Sequence, residues 1–129
     1  LFMNPADIAI DSQGVVYVVD GANNRVQKFD SSANFLGKWG TAGSGDGQFN
    51  SPSGIAIDST SGNIFIVDRG NDRVQVFDSN GNFITKWGSI GSGDGQLNEP
   101  SGVAIDSQDN VYVADSNNDR IQVFASTTS

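Results

Sequence analysis

Pro52-Ser-Gly-Ile-Ala-Ile-Asp58 is a seven-residue stretch that this chain contains in three versions. It appears earlier as Pro5-Ala-Asp-Ile-Ala-Ile-Asp11 and later as Pro100-Ser-Gly-Val-Ala-Ile-Asp106, at steps of 47 and 48 residues. A period of this length indicates a supersecondary unit that stacks against copies of itself. We therefore divide the chain into repeats covering about 1–48, 49–96 and 97–129.

The repeat contains four strand candidates, which become more polar from the first strand to the fourth. In the second repeat, Gly54–Asp58 alternates Ile with small Ala, and Ile64–Val67 is apolar on both faces, as a strand covered on both sides must be. Arg73–Phe77 alternates polar and apolar residues, and Phe83–Trp87 carries a lysine suited to an outer edge. The third repeat ends after Phe124 without a counterpart of Phe83–Trp87, which predicts that its outer strand is missing.

The connections between these strands are turns rich in Asp, Asn and Gly, as hairpins require. Between repeats lies the loop Gly43–Gln48, which returns as Gly91–Gln96. Despite their glycines, these loops lack the Lys-Ser/Thr of a phosphate-binding loop and no helix follows them, and their Asp46 and Asp94 repel phosphate. The pattern predicts an all-β fold over residues 1–129, a partial β-propeller of three four-stranded antiparallel blades.

The repeat resembles the NHL repeat over nearly the whole chain. The matching parts are Pro-Ser-Gly-Ile-Ala-Ile-Asp, the apolar strand ending in Val-Asp, Asn-x-Arg-Val-Gln-x-Phe, Gly-Asn-Phe, Trp-Gly and Gly-x-Gly-Asp-Gly-Gln. The first repeat departs from this pattern with Ala6-Asp7 in place of Ser-Gly. The resemblance implies four-stranded blades, and closed propellers of this family commonly have six.

Three blades leave an apolar face at each end of the array, and such faces do not persist on a soluble monomer. Two copies joining face to face would give six blades, so we predict a homo-oligomer, with a dimer favoured. Two alternatives stay open. The chain is a segment whose flanking blades belong to a longer protein, or copies stack head to tail as a filament.

The composition limits which partners the chain can bind and which reactions it can catalyse. The net charge of −8 argues against nucleic acid and against anionic membranes, and no apolar run is long enough to span a bilayer. The chain has no Cys and no His, which excludes thiolate zinc sites, Cys nucleophiles and Ser-His-Asp triads. We expect no cofactor and no enzymatic activity, and an extracellular or cell-surface prokaryotic location. The sequence does not identify a protein or glycan ligand.

Repeated charged residues flank the turn after the second strand. As a structural set, each Asp caps the turn and meets the Arg of its own or a neighbouring blade, because the planar fork of Arg suits a carboxylate. If exposed, each pair would contribute only about 0.2–1 kcal/mol. The alternative is a ring of charges that binds an anion. The positions are Asp20, Arg25, Asp68, Arg73, Asp115 and Arg120.

A second acidic set follows the first strands, at Asp11, Asp58 and Asp106. If those strands line the propeller axis, the three carboxylates would meet at one rim, and Ca²⁺ prefers such oxygen ligands. We favour the simpler interpretation, in which each Asp caps its own turn. The alternative is a fragment of a calcium-dependent propeller hydrolase or lactonase, for which the irregular Glu99 and Asp109 are the best candidates.

Two further features bear on binding. Trp39 and Trp87 end the outer strands, where we expect them to pack between blades with their N–H groups bonded, rather than to stack on sugars or bases. Residues that differ between repeats are the best candidates for a partner-binding loop: Ala22, Asn23, Asn24, Arg69, Gly70, Ser116 and Asn117. The sequence thus favours a non-catalytic binding or scaffold module, with a structural subunit of an extracellular assembly as an alternative.

Overall fold

The computed structural model describes residues 5–125, which form an all-β array without an α-helix. Thirteen strands lie in this part of the chain: β1 (Pro5–Ile10), β2 (Val16–Asp20), β3 (Arg25–Phe29), β4 (Phe35–Trp39), β5 (Thr41–Ala42), β6 (Gln48–Phe49), β7 (Gly54–Ile57), β8 (Ile64–Asp68), β9 (Arg73–Phe77), β10 (Phe83–Trp87), β11 (Gly102–Ile105), β12 (Val111–Asp115) and β13 (Arg120–Phe124).

The strands form three consecutive antiparallel blades. Their orders are β1-β2-β3-β4, β7-β8-β9-β10 and β11-β12-β13. The four-stranded blade predicted from the repeat is confirmed, and in residues 5–125 the third blade has no outer strand, also as predicted. β1 contacts β7 and β7 contacts β11. The first strand of each repeat is therefore the inner strand of its blade, where small Ala allows close approach.

Two short features were not expected from the sequence. β5 and β6 pair in parallel at the two ends of the loop between the first and second blades, Thr41 with Gln48 and Ala42 with Phe49. The turn after each second strand is a single 3-10 turn, at Gly21–Asn23, Arg69–Asn71 and Ser116–Asn118. Neither feature is long enough to produce a periodic pattern of apolar residues, which explains why the sequence analysis missed both.

The hydrophobic core lies between blades. Tyr17, Val19 and Val26 of the first blade pack against Ile64 and Phe77 of the second. A second cluster joins the second and third blades through five buried residues, Val67, Val74, Leu97, Val111 and Val113. Each large side chain buried in this way contributes roughly 1.5–3 kcal/mol. Stability therefore comes from contact between neighbouring repeats, as in other repeat architectures.

The outward faces of the first and third blades are only partly covered. In the first blade, Ile8 and Ile10 are 58% and 64% exposed. In the third, Ile121 and Val123 are 64% and 55% exposed. In the described part of the chain, no helix has both the length and the apolar character needed to cross a bilayer.

Candidate functional site

The turn aspartate of the second blade is the centre of a buried hydrogen-bond network. Oδ2 of Asp68 accepts from Asn71 Nδ2 at 2.9 Å, Arg73 Nε at 2.8 Å and Gln75 Nε2 at 3.2 Å. Oδ1 accepts from the backbone N–H of Asn50 at 2.8 Å. Asp68 has no exposed surface, and its charge is satisfied by these donors.

The same network holds the loop that precedes its blade. The guanidinium of Arg73 donates to three backbone carbonyls at 2.8–2.9 Å, those of Ser44, Gly45 and Gln48. Gln75 Nε2 donates to the Gln48 carbonyl at 2.7 Å. The carbonyl oxygens of this Gly-rich loop bind the guanidinium of the following blade, which fixes the conformation of the loop. A phosphate-binding loop has the opposite polarity, because it presents backbone N–H groups to an anion.

The third blade repeats this arrangement. Arg120 Nε lies 2.8 Å from Oδ2 of Asp115, and its other nitrogens donate to carbonyls of the loop Gly91–Gln96. Burial raises the pKa of Asp115, but hydrogen bonds from Asn118, the Asn98 amide and the Arg120 side chain outweigh burial and lower it overall. In the first blade, Arg25 Nε lies 3.0 Å from Oδ2 of Asp20.

These ion pairs are buried, whereas the stabilisation of about 0.2–1 kcal/mol was expected for exposed pairs. Asp20, Asp68 and Asp115 have no exposed side-chain surface, and the side chains of Arg73 and Arg120 are 8% and 27% exposed. The range for exposed surface pairs therefore does not apply to them.

The glutamines of this network were not predicted from the sequence. Gln27, Gln75 and Gln122 each donate to their blade's turn aspartate. The signal was present in the sequence, because Gln stands at the same position of the third strand in every repeat.

The aspartates that follow the inner strands cap their own turns. Oδ1 of Asp11 accepts from two backbone amides, those of Gln13 and Val15, at 2.9 Å each. Asp106 bonds the amides of Gln108 and Asn110 in the same way, and the Asn110 amide is the main cause of its lowered pKa. Among residues 5–125, no group of three or more His, Cys, Asp or Glu is placed to hold a metal ion.

Asp58 differs from the other two because it meets a second carboxyl group. Burial raises its pKa, but bonds from the Thr60 amide, from Asp109 and from Ser61 outweigh burial and lower it. The pKa of Asp109 is raised, chiefly by its hydrogen bond with Asp58. The hydrogen bond between the two carboxyl groups therefore shifts their pKa values in opposite directions. Asp109 also has a left-handed backbone, with φ +66°, where Gly14 and Gly62 stand in the other repeats.

The tryptophans pack between blades, as expected, but their N–H groups do not find partners. The Trp39 ring centroid lies 5.6 Å from that of Phe77 in the next blade, and the Trp87 centroid lies 5.3 Å from that of Phe124. Nε1 of each indole is buried without a hydrogen bond to any described residue. Their rings therefore serve the core rather than an exposed stacking platform.

Most of the loop proposed for partner binding is committed to the fold. The Asn23 amide bonds Asp20, and Oδ1 of Asn24 accepts the Ser51 N–H. The Asn117 side chain bonds Glu99 at 2.6 Å. Gly70 donates its N–H to the Asn50 carbonyl at 2.7 Å, and Ser116 Oγ lies 2.6 Å from Ser101 Oγ. The side chains of Ala22 and Arg69 remain exposed without a described partner.

A groove of about 660 Å³ lies between the second and third blades. Trp87, Phe124 and Val123 line it, and Asp58 and Asp109 lie on its wall. It opens beside β13, whose outer edge has no strand partner in the described chain. The groove therefore lies where the third blade lacks its fourth strand.

Comparison with known proteins identifies the repeat. Peptidyl-glycine alpha-amidating monooxygenase of Mus musculus is 39% identical over 62 residues, covering 43% of this chain and 6% of that protein. NHL repeat-containing protein 3 of Homo sapiens is 36% identical over 61 residues, covering 45% of this chain and 18% of that protein. The chain thus spans less than a fifth of either relative.

A solved structure of streptogramin B lyase superimposes with a TM-score of 0.67 at 14% identity, covering 95% of this chain and 40% of the lyase. At this identity the likeness concerns the fold alone. The NHL repeat matches residues 2–29, 49–77 and 97–124, one segment in each blade. The chain therefore belongs to the NHL-repeat family.

Proposed function

We propose that this chain is a non-catalytic binding and self-assembly module whose working surfaces are the two end faces of its blade array. The observation that carries the proposal is the exposure of branched apolar side chains on both faces. Ile8 and Ile10 project from the first blade, and Ile121 and Val123 from the third, each more than half exposed. Apolar side chains grouped on one face indicate an interaction site.

The repeat itself supports complementarity between the two faces. On the third blade, Tyr112 and Ile121 occupy the positions that Tyr17 and Val26 occupy on the first. Tyr17 and Val26 are buried against the second blade. The second and third strands of the third blade thus carry residue types like those that receive a following blade inside the molecule.

The first blade carries the matching half. Its Ile8 and Ile10 occupy the positions of Ile55 and Ile57, which belong to the core between the first and second blades. The third blade of one copy is therefore suited to receive the first blade of another. When this contact is made twice, two copies close as six blades, and when it does not close it produces a filament.

The polar groups support a non-catalytic role. The turn aspartates and arginines bond one another and loop carbonyls, and the chain contains no His or Cys for acid–base or nucleophilic work. The alignment with the amidating monooxygenase covers only 6% of that enzyme, so its activity does not transfer with the match.

The mass in solution tests the proposal. Light scattering is expected to give twice the 13.6 kDa of one chain. The variant Ile121→Lys places a charge in the contact and should weaken association by about 10–100-fold. Ile90→Lys is the matched control, because Ile90 is 67% exposed but lies between the second and third blades.

Three outcomes separate the possibilities. A mass of 13.6 kDa together with a cooperative thermal transition would contradict self-assembly. A mass that keeps rising with concentration would favour the filament over the ring. Equal effects of Ile121→Lys and Ile90→Lys would show that the end face is not the contact.

A further inference from the structure

The turns that follow the inner strands of the second and third blades both depart from the repeat. The second turn, from Asp58 to Asn63, is one residue longer than its counterparts, and it carries Thr60 where the others carry Gln. In the third turn, Asp109 stands at the position of a glycine. Thr60 Oγ1 donates to Oδ1 of Asp109 at 3.4 Å. Departures from the pattern in two different repeats therefore meet in one contact between blades.

This contact brings Asp109 beside a buried carboxylate. The N–H of Thr60 donates to Oδ1 of Asp58 at 2.9 Å, and the Ser61 hydroxyl donates to Oδ2 of Asp58 at 2.9 Å. Asp58 is only 5% exposed, whereas its counterparts in the other two blades are half-buried. Thr60 therefore bonds the carboxyl groups of two neighbouring blades, one through its backbone and one through its side chain.

The packing of a blade does not require this pair of carboxyl groups. In the second blade the position of Asp109 is filled by Gly62, so the junction between the first and second blades has no carboxyl group there. A Cβ on Gly62 would meet nothing within 4 Å, which shows that the position is open. The carboxyl pair is therefore a property of the second junction alone among residues 5–125.

The charged groups that contact Asp109 are acidic. Asp58 faces it from the second blade and Asp106 from its own turn, and both raise the pKa of Asp109. Lys86 lines the same groove, but its Nζ is paired with Asp46 at 2.6 Å. In the part of the chain that the structure describes, no basic side chain forms an ion pair with either carboxyl group. Neutralising the pair therefore requires a proton.

We propose that Asp58 and Asp109 form a proton-dependent contact, which holds the inner turns of the second and third blades together in acid and loosens them towards neutral pH. In acid, the protonated carboxyl of Asp109 donates to the carboxylate of Asp58. At neutral pH the proton passes to solvent, and repulsion between two carboxylates opposes the long bond from Thr60. This inference concerns a junction inside one chain and is independent of the proposed assembly.

The directions of the pKa shifts define the pH interval of the contact. The pKa of Asp109 is raised, so its contribution is present below the ordinary value of 3.8 and is lost as the pH rises through the raised pKa. The pKa of Asp58 is lowered, so its contribution is lost as the pH falls through the lowered pKa. The contact is therefore strongest between these two values. Asp106, whose pKa is lowered chiefly by the Asn110 amide, stays mostly ionised from pH 4 to pH 7 and acts as a constant background.

A carbon-13 NMR titration of the side-chain carboxyl groups tests the proposal on the unmodified chain. Asp109 should titrate at a higher pH than Asp58. The variant Asp58→Asn removes the negative neighbour, and it should move the titration of Asp109 back towards the ordinary pH for an aspartate. Because the first measurement needs no substitution, it decides the question even if the variant folds poorly.

Hydrogen exchange of the backbone amides in residues 106–110 measures the contact itself. Asp109→Asn keeps a donor towards Asp58 at every pH, and so it mimics the protonated contact. Compared with this variant, the parent should exchange at the same rate at pH 4 and about 2–5-fold faster at pH 7. Taking the ratio at each pH removes the intrinsic dependence of exchange on pH.

Asp94→Asn is the matched control, because it removes the same charge from an exposed position of a chain whose net charge is −8. It should leave the exchange of residues 106–110 unchanged, and Asp109→Asn should leave the equivalent turn of the first blade, residues 11–15, unchanged. The proposal is overturned if Asp109 titrates at or below the pH of Asp58. It is also overturned by a ratio that does not change between pH 4 and pH 7, or by an equal effect of Asp94→Asn.

Discussion

Arg73 donates from Nε to Oδ2 of Asp68 at 2.8 Å, at a place where 8% of the arginine side chain and none of the aspartate is exposed. The remaining guanidinium nitrogens bond the carbonyls of the preceding loop. This one side chain thus neutralises a buried carboxylate and fixes a connection between two blades.

Replacing Arg73 with Ala should lower the free energy of unfolding by about 3–5 kcal/mol, because it leaves Asp68 buried without its cation. Urea unfolding measures the change. Arg69→Ala removes the same charge from an exposed position nearby and should stay within about 0.5 kcal/mol of the parent. Equal effects of the two substitutions would contradict a structural role for the buried pair.

Gly70 should not tolerate a side chain, although it lies in a surface turn. A Cβ at this position would be 2.5 Å from Cγ of Asn50 and 2.6 Å from its carbonyl oxygen. Gly70→Ala is expected to cost about 1–3 kcal/mol. Gly37→Ala is the control, because a Cβ there meets only Lys28 Cε, at an ordinary contact distance of 3.7 Å, and it should be neutral or stabilising by up to about 1 kcal/mol. Thermal melts of both variants at one pH decide the comparison.

Asp109→Gly should raise the melting temperature at pH 7 by about 2–4 °C. The substitution restores the residue type that fits a φ of +66° and removes a carboxyl group from beside Asp58. Because the pKa of Asp109 is raised in the folded state, folding favours its protonated form, and this contribution is lost as the pH rises through that pKa.

The gain from Asp109→Gly should therefore be larger at pH 7 than at pH 4. A gain of the same size at both pH values would assign the whole effect to the backbone. Asp109→Asn separates the effect of the backbone from that of the charge, because Asn keeps the backbone strain of a non-glycine residue and removes only the charge.

Millimolar Ca²⁺ should leave the melting temperature unchanged and should give no binding heat in calorimetry. The side-chain oxygens of Asp11, Asp58 and Asp106 already accept hydrogen bonds within their own turns, and Ca²⁺ requires about 6–8 oxygen ligands. A saturable heat that disappears in Asp58→Asn would instead establish a metal site. Mg²⁺ at the same ionic strength controls for screening.

The repeat period and the alternation of strands were sufficient to predict the blades, because each blade repeats one pattern of apolar positions. Residue types at single positions also predicted an Asp–Arg pair, either within one blade or between neighbouring blades, and the structure places Asp68 and Arg73 together within one blade. The bonds from Arg73 to the loop of the preceding repeat were not predictable. Spacing along the chain does not show which residues of two neighbouring blades contact each other.

The prediction for the tryptophan N–H groups failed for a related reason. The position of Trp39 at the end of an outer strand indicates packing, which the structure confirms. Whether a polar partner lies near Nε1 depends on the neighbouring blade, and among the described residues none bonds this nitrogen. The missing outer strand was predicted from the sequence, but the groove beside β13 was not, because it depends on how Trp87 packs against Phe124.

The loop Gly43–Gln48 belongs to one repeat by covalent order and to the next by hydrogen bonding. The unit that is duplicated in the sequence is therefore offset from the unit that is stable in space. Excising the second repeat at residue 49 would separate Arg73 from the loop carbonyls that it binds, whereas a cut before Gly43 keeps them together. A form of this array with fewer or more blades should be cut before Gly43 or Gly91, so that each blade keeps the loop that its own arginine binds.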